Sequence, residues 1–105
     1  VLQADGYTMQ GHVETELLSD GEYEVFTITP PAGMQVFIVA VGDWDTNDVD
    51  LHIIGGESGH RIESDVLEDD RPMCSFVSRG GSYEVLVRMI DTDAPAYVEL
   101  IYATR

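Results

Sequence analysis

The stretch from Asp43 to Ile53 carries the densest chemistry of the sequence. It reads Asp-Trp-Asp-Thr-Asn-Asp-Val-Asp-Leu-His-Ile, so four carboxylates and one amide lie within eight residues. Hard cations such as Ca²⁺ take several oxygen ligands from carboxylates, amides and backbone carbonyls. The pattern therefore predicts a possible role in calcium binding, for which the candidate ligands are Asp43, Asp45, Asn47, Asp48 and Asp50.

The same residues also admit a structural interpretation. In an EF-hand alignment, Asp43, Asp45 and Asn47 take the first three ligand positions, but Asp48 replaces the glycine at the sixth position and Ile54 replaces the glutamate at the twelfth. This pattern does not favour an EF-hand. It leaves either a calcium site of another kind or a turn in which an aspartate accepts backbone hydrogen bonds at the entrance of a strand.

A second acidic cluster precedes Arg71 and Pro72. Its members are Asp65, Glu68, Asp69 and Asp70. They form either a solvated loop, partly neutralised by Arg71, or a second cation site that could complete the first if both loops lie at one end of the fold.

The remaining reactive side chains do not form a recognisable catalytic signature. His12, His52 and His60 lie in separate segments without the spacing of a metal-binding pair. There is no nucleophile elbow, Cys-His signature or phosphate-binding glycine loop. The single cysteine, Cys74, excludes an internal disulfide and is expected to be a small buried residue. We predict a protein that is not an enzyme; the alternative is a small exported enzyme that uses the acidic-loop carboxylates.

Charge narrows the range of partners. The chain has 20 acidic residues against five arginines and no lysine, which gives a formal net charge of -15. Because phosphate backbones and anionic membranes attract basic surfaces, neither nucleic acid nor an anionic membrane is an expected partner. No apolar run reaches the length of a membrane-spanning helix. The apolar content of 44% is nevertheless that of a globular protein, so a folded core is expected.

Alternating apolar residues between turn signals predict the fold. Glycine, proline and aspartate divide residues 1–105 into short segments rich in β-branched and aromatic residues, with no long helical pattern. We predict a single all-β domain, an antiparallel β-sandwich of about eight strands. The predicted strands are His12–Leu18, Glu22–Thr29, Met34–Gly42, Val49–Ile54, Arg61–Ser64, Met73–Ser78, Ser82–Ile90 and Ala96–Ala103.

The alternation also predicts which side chains face inward. Residues 34–42 are apolar at almost every position, which is typical of a strand in the middle of a sheet. Residues 83–89 alternate between apolar and polar, which is typical of a strand with one solvent-exposed face. The predicted core residues are Val36, Ile38, Leu51, Phe76, Val85 and Val87.

The order of these segments resembles that of the bacterial pre-peptidase C-terminal domain. The phrases that carry the resemblance are Asp-Val-Asp-Leu-His-Ile at residues 48–53, Ser-Asp at 64–65 and Gly-Ser-Tyr-Glu-Val-Leu-Val at 81–87, and the similar region covers about residues 22–102. The resemblance implies a jelly-roll-like sandwich that is non-catalytic and is carried by secreted bacterial proteases. Collagen-binding modules of secreted collagenases look similar, and some of those bind Ca²⁺.

The resemblance implies a secreted or periplasmic binding module. A start at Val1 rather than Met is typical of a mature product cut after a signal peptide, or of a trimmed chain. The expected partner is a protein or a polysaccharide, such as a secreted protease or the extracellular matrix. The alternative is a structural or interaction protein of an extracellular assembly.

Overall fold

Eight antiparallel strands build the part of the chain that the computed structural model describes, which is residues 6–55, 61–65 and 71–105. Those residues contain no helix, and hence no helix that could cross a membrane. The strands are β1 Thr8–Glu14, β2 Tyr23–Ile28, β3 Gln35–Gly42, β4 Thr46–Gly55, β5 Arg61–Asp65, β6 Met73–Val77, β7 Tyr83–Thr92 and β8 Val98–Thr104.

The strands form two four-stranded sheets. The first sheet has the order β1-β8-β3-β6 and the second has the order β2-β7-β4-β5. Only β4 and β5 are consecutive neighbours in one sheet, and every other connection crosses from one sheet to the other. This order is that of a jelly roll, in which two Greek keys close around one core. The predicted all-β sandwich is confirmed.

The core lies between the two sheets and is built by alternate residues. Val36 and Ile38 from the first sheet are completely buried, as are Leu51, Val85 and Val87 from the second. Phe76 is partly buried and packs against this core, with its ring centroid 4.8 Å from that of Tyr83. The predicted core residues therefore all contribute to the core, although Phe76 does so at its rim.

Most strand predictions hold to within one to three residues, but the first strand lies elsewhere than predicted. The pattern predicted His12–Leu18, whereas β1 spans Thr8–Glu14 and Leu18 forms only an isolated bridge with Ala96. Nearly every residue of β1 is exposed, because this strand lies at the edge of its sheet. A strand with no buried face carries no alternating signal.

Two glycine positions explain how strands change direction. Gly80 and Gly81 have φ angles of 86° and 76°, a left-handed conformation that glycine adopts without strain where β6 leads into β7. At Gly42, a Cβ atom would lie 2.6 Å from Cβ of Thr46, so only glycine fits between the end of β3 and the start of β4. The glycine-rich residues 55–59 predict a hairpin tip; Gly55 ends β4, and residues 56–59 lie outside the described residues.

Candidate functional site

The acidic segment forms a tight turn between β3 and β4. The Asp45 amide donates a hydrogen bond to Asp43 Oδ1 at 3.1 Å, and the Thr46 amide donates to the Asp43 carbonyl at 3.1 Å. A carboxylate that accepts the amide two residues on is an Asx turn. This geometry supports the structural interpretation of Asp43.

A second loop holds this turn in place. Asn47 Nδ2 donates to Asp93 Oδ1 at 3.0 Å, and the Asp93 amide donates to the Asp45 carbonyl at 2.8 Å. The Thr92 hydroxyl also donates to the Asp45 carbonyl, at 3.1 Å. The residue types at 91–95 predict only a turn, and Asp93 is not among the candidate ligands that the sequence indicates. The feature of the sequence that could have indicated Asp93 is the close spacing of two acids, Asp91 and Asp93.

Asp48 and Asp50 lie in β4 and not in the turn. β4 begins at Thr46, three residues before the predicted start, and bulges on both sides of Asp48 make the ladder irregular there. Asp48 is opposite Asp91, whereas Asp50 is opposite Arg88. Burial raises the pKa of the Asp50 carboxyl, and the nearby charges of His52 and Arg88 offset part of that rise.

The five predicted calcium ligands are thus divided between a turn and a strand. Among the described residues, no three acidic, histidine or cysteine side chains are placed to share one metal ion. Asp43 and Asn47 already take part in hydrogen bonds that fix the turn. Of the second acidic cluster only Asp65 is described, and its carboxylate accepts the Met73 amide at 3.0 Å. The calcium site stays a prediction.

One group of residues bears on the enzyme alternative. His52 on β4 is directly opposite Ser64 on β5, and Asp50 lies two residues away on the same strand face. These are the side-chain types of a hydrolytic triad. They lie on an outer face of the second sheet. A triad also needs donors for the oxyanion and a site for the substrate.

Among the surface depressions lined by described residues, two are clefts of appreciable volume. The larger, which we name the edge cleft, has a volume of about 340 Å³ and lies between β1 and β2, the strands at one edge of the sandwich. It is lined by Gly11, His12, Val13, Phe26, Thr27, Ile28, Thr29, Leu100 and Tyr102. A smaller pocket of about 210 Å³ lies beside the acidic turn and is lined by Glu14, Val41, Gly42, Asp43, Tyr97 and Glu99.

The outer face of the first sheet carries a group of apolar side chains. Cross-strand pairing places Ile101, Val39 and Met73 in one row, which His12 ends, and Met9, Ala103 and Phe37 in the next, which Ser75 ends. Met73 is 52% exposed and Met9 is 50% exposed. We name this surface the apolar face; it comprises Met9, Phe37, Val39, Met73, Val77 and Ile101.

Aromatic and sulfur side chains occupy contrasting surroundings. Trp44, the only tryptophan, is fully exposed at the tip of the acidic turn, so it is not a core anchor. Tyr102, by contrast, packs against the core. Cys74 is buried, as predicted, and its thiol contacts the Leu51 carbonyl at 3.8 Å. Burial, together with the charges of Glu63 and Asp65, raises the pKa of the Cys74 thiol to about 12.

Solved structures with the same architecture agree with the predicted resemblance. The pre-peptidase C-terminal domain of a collagenase from Bacillus anthracis aligns with a TM-score of 0.67 over 88% of this chain and 87% of that chain. The two chains share their fold. Their sequences are 15% identical, so the likeness is one of fold alone. The predicted resemblance to this kind of domain is confirmed at that level.

A second similar structure comes from a different kind of assembly. A protein of Bacillus endospore appendages, described as disulfide-linked pili, aligns with a TM-score of 0.53 and 15% identity over 93% of this chain and 85% of that chain. No protein-family model and no curated protein sequence matches the chain. The fold therefore occurs both in a domain of an enzyme and in a filament.

Proposed function

We propose that this chain is a secreted, non-catalytic binding module that recognises a protein through the apolar face. The observation that carries the proposal is a set of apolar side chains in neighbouring rows of the first sheet, of which Met9, Met73 and Val77 are exposed and Phe37, Val39 and Ile101 are partly buried. Contiguous exposed apolar surface on a soluble domain marks an interaction site more often than chance placement does. The fold shared with a collagenase accessory domain and with an extracellular appendage supports a role outside the cell.

A protein partner fits this surface better than a polysaccharide does. Sugar rings stack on flat, exposed aromatic side chains, whereas the apolar face presents methionine and aliphatic residues around the partly buried ring of Phe37. Methionine adapts its shape to irregular protein surfaces. Trp44 lies apart from this face in the acidic turn, so a polysaccharide would engage a different part of the molecule.

Capture from the extracellular medium of the source cells tests the proposal. Immobilised native chain is compared with Met73→Glu, which places a charge in the apolar face, and with Leu17→Glu. Leu17 is a matched control, because it is 51% exposed and lies outside the face. We expect the native chain and Leu17→Glu to retain the same proteins and Met73→Glu to lose them. Equal retention by all three chains would rule the apolar face out, and a parallel capture with chelator shows whether calcium contributes.

A structural subunit of an extracellular assembly is the second candidate, favoured by the similarity to the appendage protein. Disulfide linkage through this sequence is not available to it in the folded state, because the only cysteine is 2% exposed. Sedimentation at increasing concentration separates the two candidates. A binding module stays monomeric, whereas a subunit forms oligomers that the Met73→Glu substitution or an edge-strand substitution disrupts.

A further inference from the structure

The four edge strands of the sandwich differ in how well they are protected. Unpaired edges invite pairing with another chain, and proteins usually block them with bulges, prolines or charged side chains. β1 carries a bulge between Met9 and Gly11, and β5 pairs with β4 through another at Ile53 and Ile54. β6 follows Pro72, and its first amide, that of Met73, is held by the Asp65 carboxylate.

β2 is the least protected of the four. Its six residues pair with β7 in unbroken register from Tyr23 to Ile28. They include no proline or bulge, their one charged residue is Glu24, and within the described residues β7 is their only neighbour in the sheet. β2 is therefore the regular, open edge of the molecule.

The register shows which backbone groups of β2 are available. The Met89 amide donates to the Glu22 carbonyl at 2.8 Å, so this carbonyl points toward β7, whereas the Glu22 amide donates to the Ser19 carbonyl. The direction of the backbone groups alternates along an antiparallel strand, so the N–H and C=O groups of Glu24 and Phe26 also point toward β7. Tyr23, Val25 and Thr27 accordingly direct their N–H and C=O groups away from it, toward the open edge.

The edge cleft lies directly beside these groups. Its wall is largely apolar, with Phe26 and Ile28 from β2, Val13 from β1, and Leu100 and Tyr102 from β8. A strand added to β2 would direct every second side chain into this cleft. Backbone pairing combined with pockets for alternate side chains is how peptides are recognised by strand addition.

Charge selects the kind of segment that fits. At one end of the cleft, Glu24 bridges from β2 to the segment after β1, where its carboxylate accepts the Glu16 amide at 3.0 Å. Glu14 follows the cleft residues of β1, and Glu84 is opposite Thr27. With a net charge of -15 and no lysine in the sequence, a second copy of this chain would be repelled, whereas a basic segment would be attracted.

We propose that the edge cleft binds an extended, cationic segment of another polypeptide, which pairs as an additional strand with β2. Alternate apolar side chains of that segment fill the cleft, while the lysine or arginine side chains between them lie on the outer face of the second sheet near Glu84, which is opposite Thr27 at the end of β2 away from Arg88. This site is separate from the apolar face, because β2 belongs to the other sheet. A negative binding result at one of these two surfaces therefore does not contradict the proposal for the other.

A fluorescently labelled hexapeptide of alternating lysine and valine is the probe, and binding is followed by fluorescence anisotropy. We expect the native chain to bind it, the affinity to fall as salt is added, and a peptide with glutamate in place of lysine not to bind. N-methylation of alternate peptide amides should abolish binding. Amide hydrogen exchange at Val25 and Thr27 should slow when the peptide is present.

Two substitutions locate the site. Thr27→Pro removes an outward amide without removing a hydrogen bond to β7, and Ser75→Pro makes the same change on β6 at the far edge. We expect an affinity loss of about tenfold or more for Thr27→Pro and none for Ser75→Pro. Gly11→Leu fills the cleft from β1 without altering β2, and it should weaken binding equally. If Thr27→Pro fails to fold, which circular dichroism would reveal, Gly11→Leu still tests the edge cleft.

Several results would overturn the proposal. One is equal affinity of the native chain and Gly11→Leu for the lysine-valine peptide. Another is equal affinity for the lysine and glutamate peptides, because charge would then play no part. A third is self-association that grows as salt is added and is lost in Gly11→Leu, which would make a second copy of the chain the occupant.

Discussion

Asp43 shows how a carboxylate in an acidic run can be structural. Its carboxylate accepts the Asp45 amide, and the Asp45 carbonyl accepts hydrogen bonds from Thr92 and Asp93. The sequence alone left both a turn and a calcium site open and favoured the turn. The hydrogen bonds give the turn a sufficient physical reason for its composition, because each of these polar groups has a protein partner.

Thermal unfolding distinguishes these two interpretations. An ion that binds only the folded state raises the melting temperature, and the increase grows with the logarithm of its concentration over its dissociation constant. Because hydrogen bonds already fix the turn, we expect Ca²⁺ and Mg²⁺ to have the same effect at physiological ionic strength. A Ca²⁺-selective increase that disappears in Asp45→Ala would instead establish the calcium site.

Cys74 should be chemically inert while the protein is folded. The thiolate is the reactive form, and a pKa of about 12 leaves almost none of it at neutral pH. The side chain is also only 2% exposed. We expect alkylation by iodoacetamide at pH 8 to be slower by orders of magnitude in the native chain than in denaturant. Rapid native labelling would show that the interface between β4 and β6 opens readily.

At the scale of elements, the alternating pattern predicted strands well wherever one face is buried. β7 is the clearest case, since Val85, Val87 and Met89 are completely buried and Glu84 and Arg88 are exposed. β1 was misplaced because both of its faces are largely exposed. The start of β4 was missed because polar residues at its bulges imitate a loop.

Two neighbouring residues of β7 test directly which of its side chains point into the core. Met89 is completely buried, whereas Ile90 is 38% exposed on the opposite face. Met89→Ala should lower the free energy of unfolding by about 2–5 kcal/mol through lost burial and a residual cavity. Ile90→Ala should cost well under half as much. Urea denaturation followed by circular dichroism measures both, and equal losses would contradict the register between β4 and β7.

The contacts of the acidic turn were less predictable than the strands. Asp93 reaches Asn47 across 46 residues of sequence, and only the jelly-roll order brings their loops to one end of the molecule. The edge cleft likewise depends on which strands lie at the edges. Residue patterns report the faces of a strand, but they do not report which strands become neighbours.

At the scale of the whole molecule, the fold leaves two surfaces with different chemistry. The apolar face covers the first sheet, and the open edge belongs to the second. Meanwhile, the excess of carboxylates repels anionic partners and copies of the chain itself. This combination favours a monomer that binds other molecules, because self-association must overcome charge repulsion that a cationic partner relieves.

The same charge makes stability depend on pH. A net charge of -15 destabilises the compact state by self-repulsion, which protonation relieves. Asp50 adds to this effect, because burial raises its pKa above the value near 3.9 of an unfolded aspartate. Its folded form therefore retains a proton more readily than the unfolded form does. The stability that protonated Asp50 contributes is fully present below the pKa of this carboxyl in the unfolded chain. It is lost as the pH rises through the pKa of the same carboxyl in the folded chain.

The melting temperature at low ionic strength should consequently increase when the pH is lowered from 7 to about 5. Asp50→Asn should melt higher than the native chain at pH 7, and this difference should vanish near pH 3, where Asp50 is protonated in both states. Glu84→Gln, on the exposed face of β7, removes an equal charge as the control. Moderate salt should reduce the pH dependence of the melting temperature that comes from overall charge repulsion. It should preserve the pH dependence due to Asp50, because burial is not screened by salt. A melting temperature that falls between pH 7 and 5 would show that ionised carboxylates stabilise the fold through local pairs, against the direction set by the net charge.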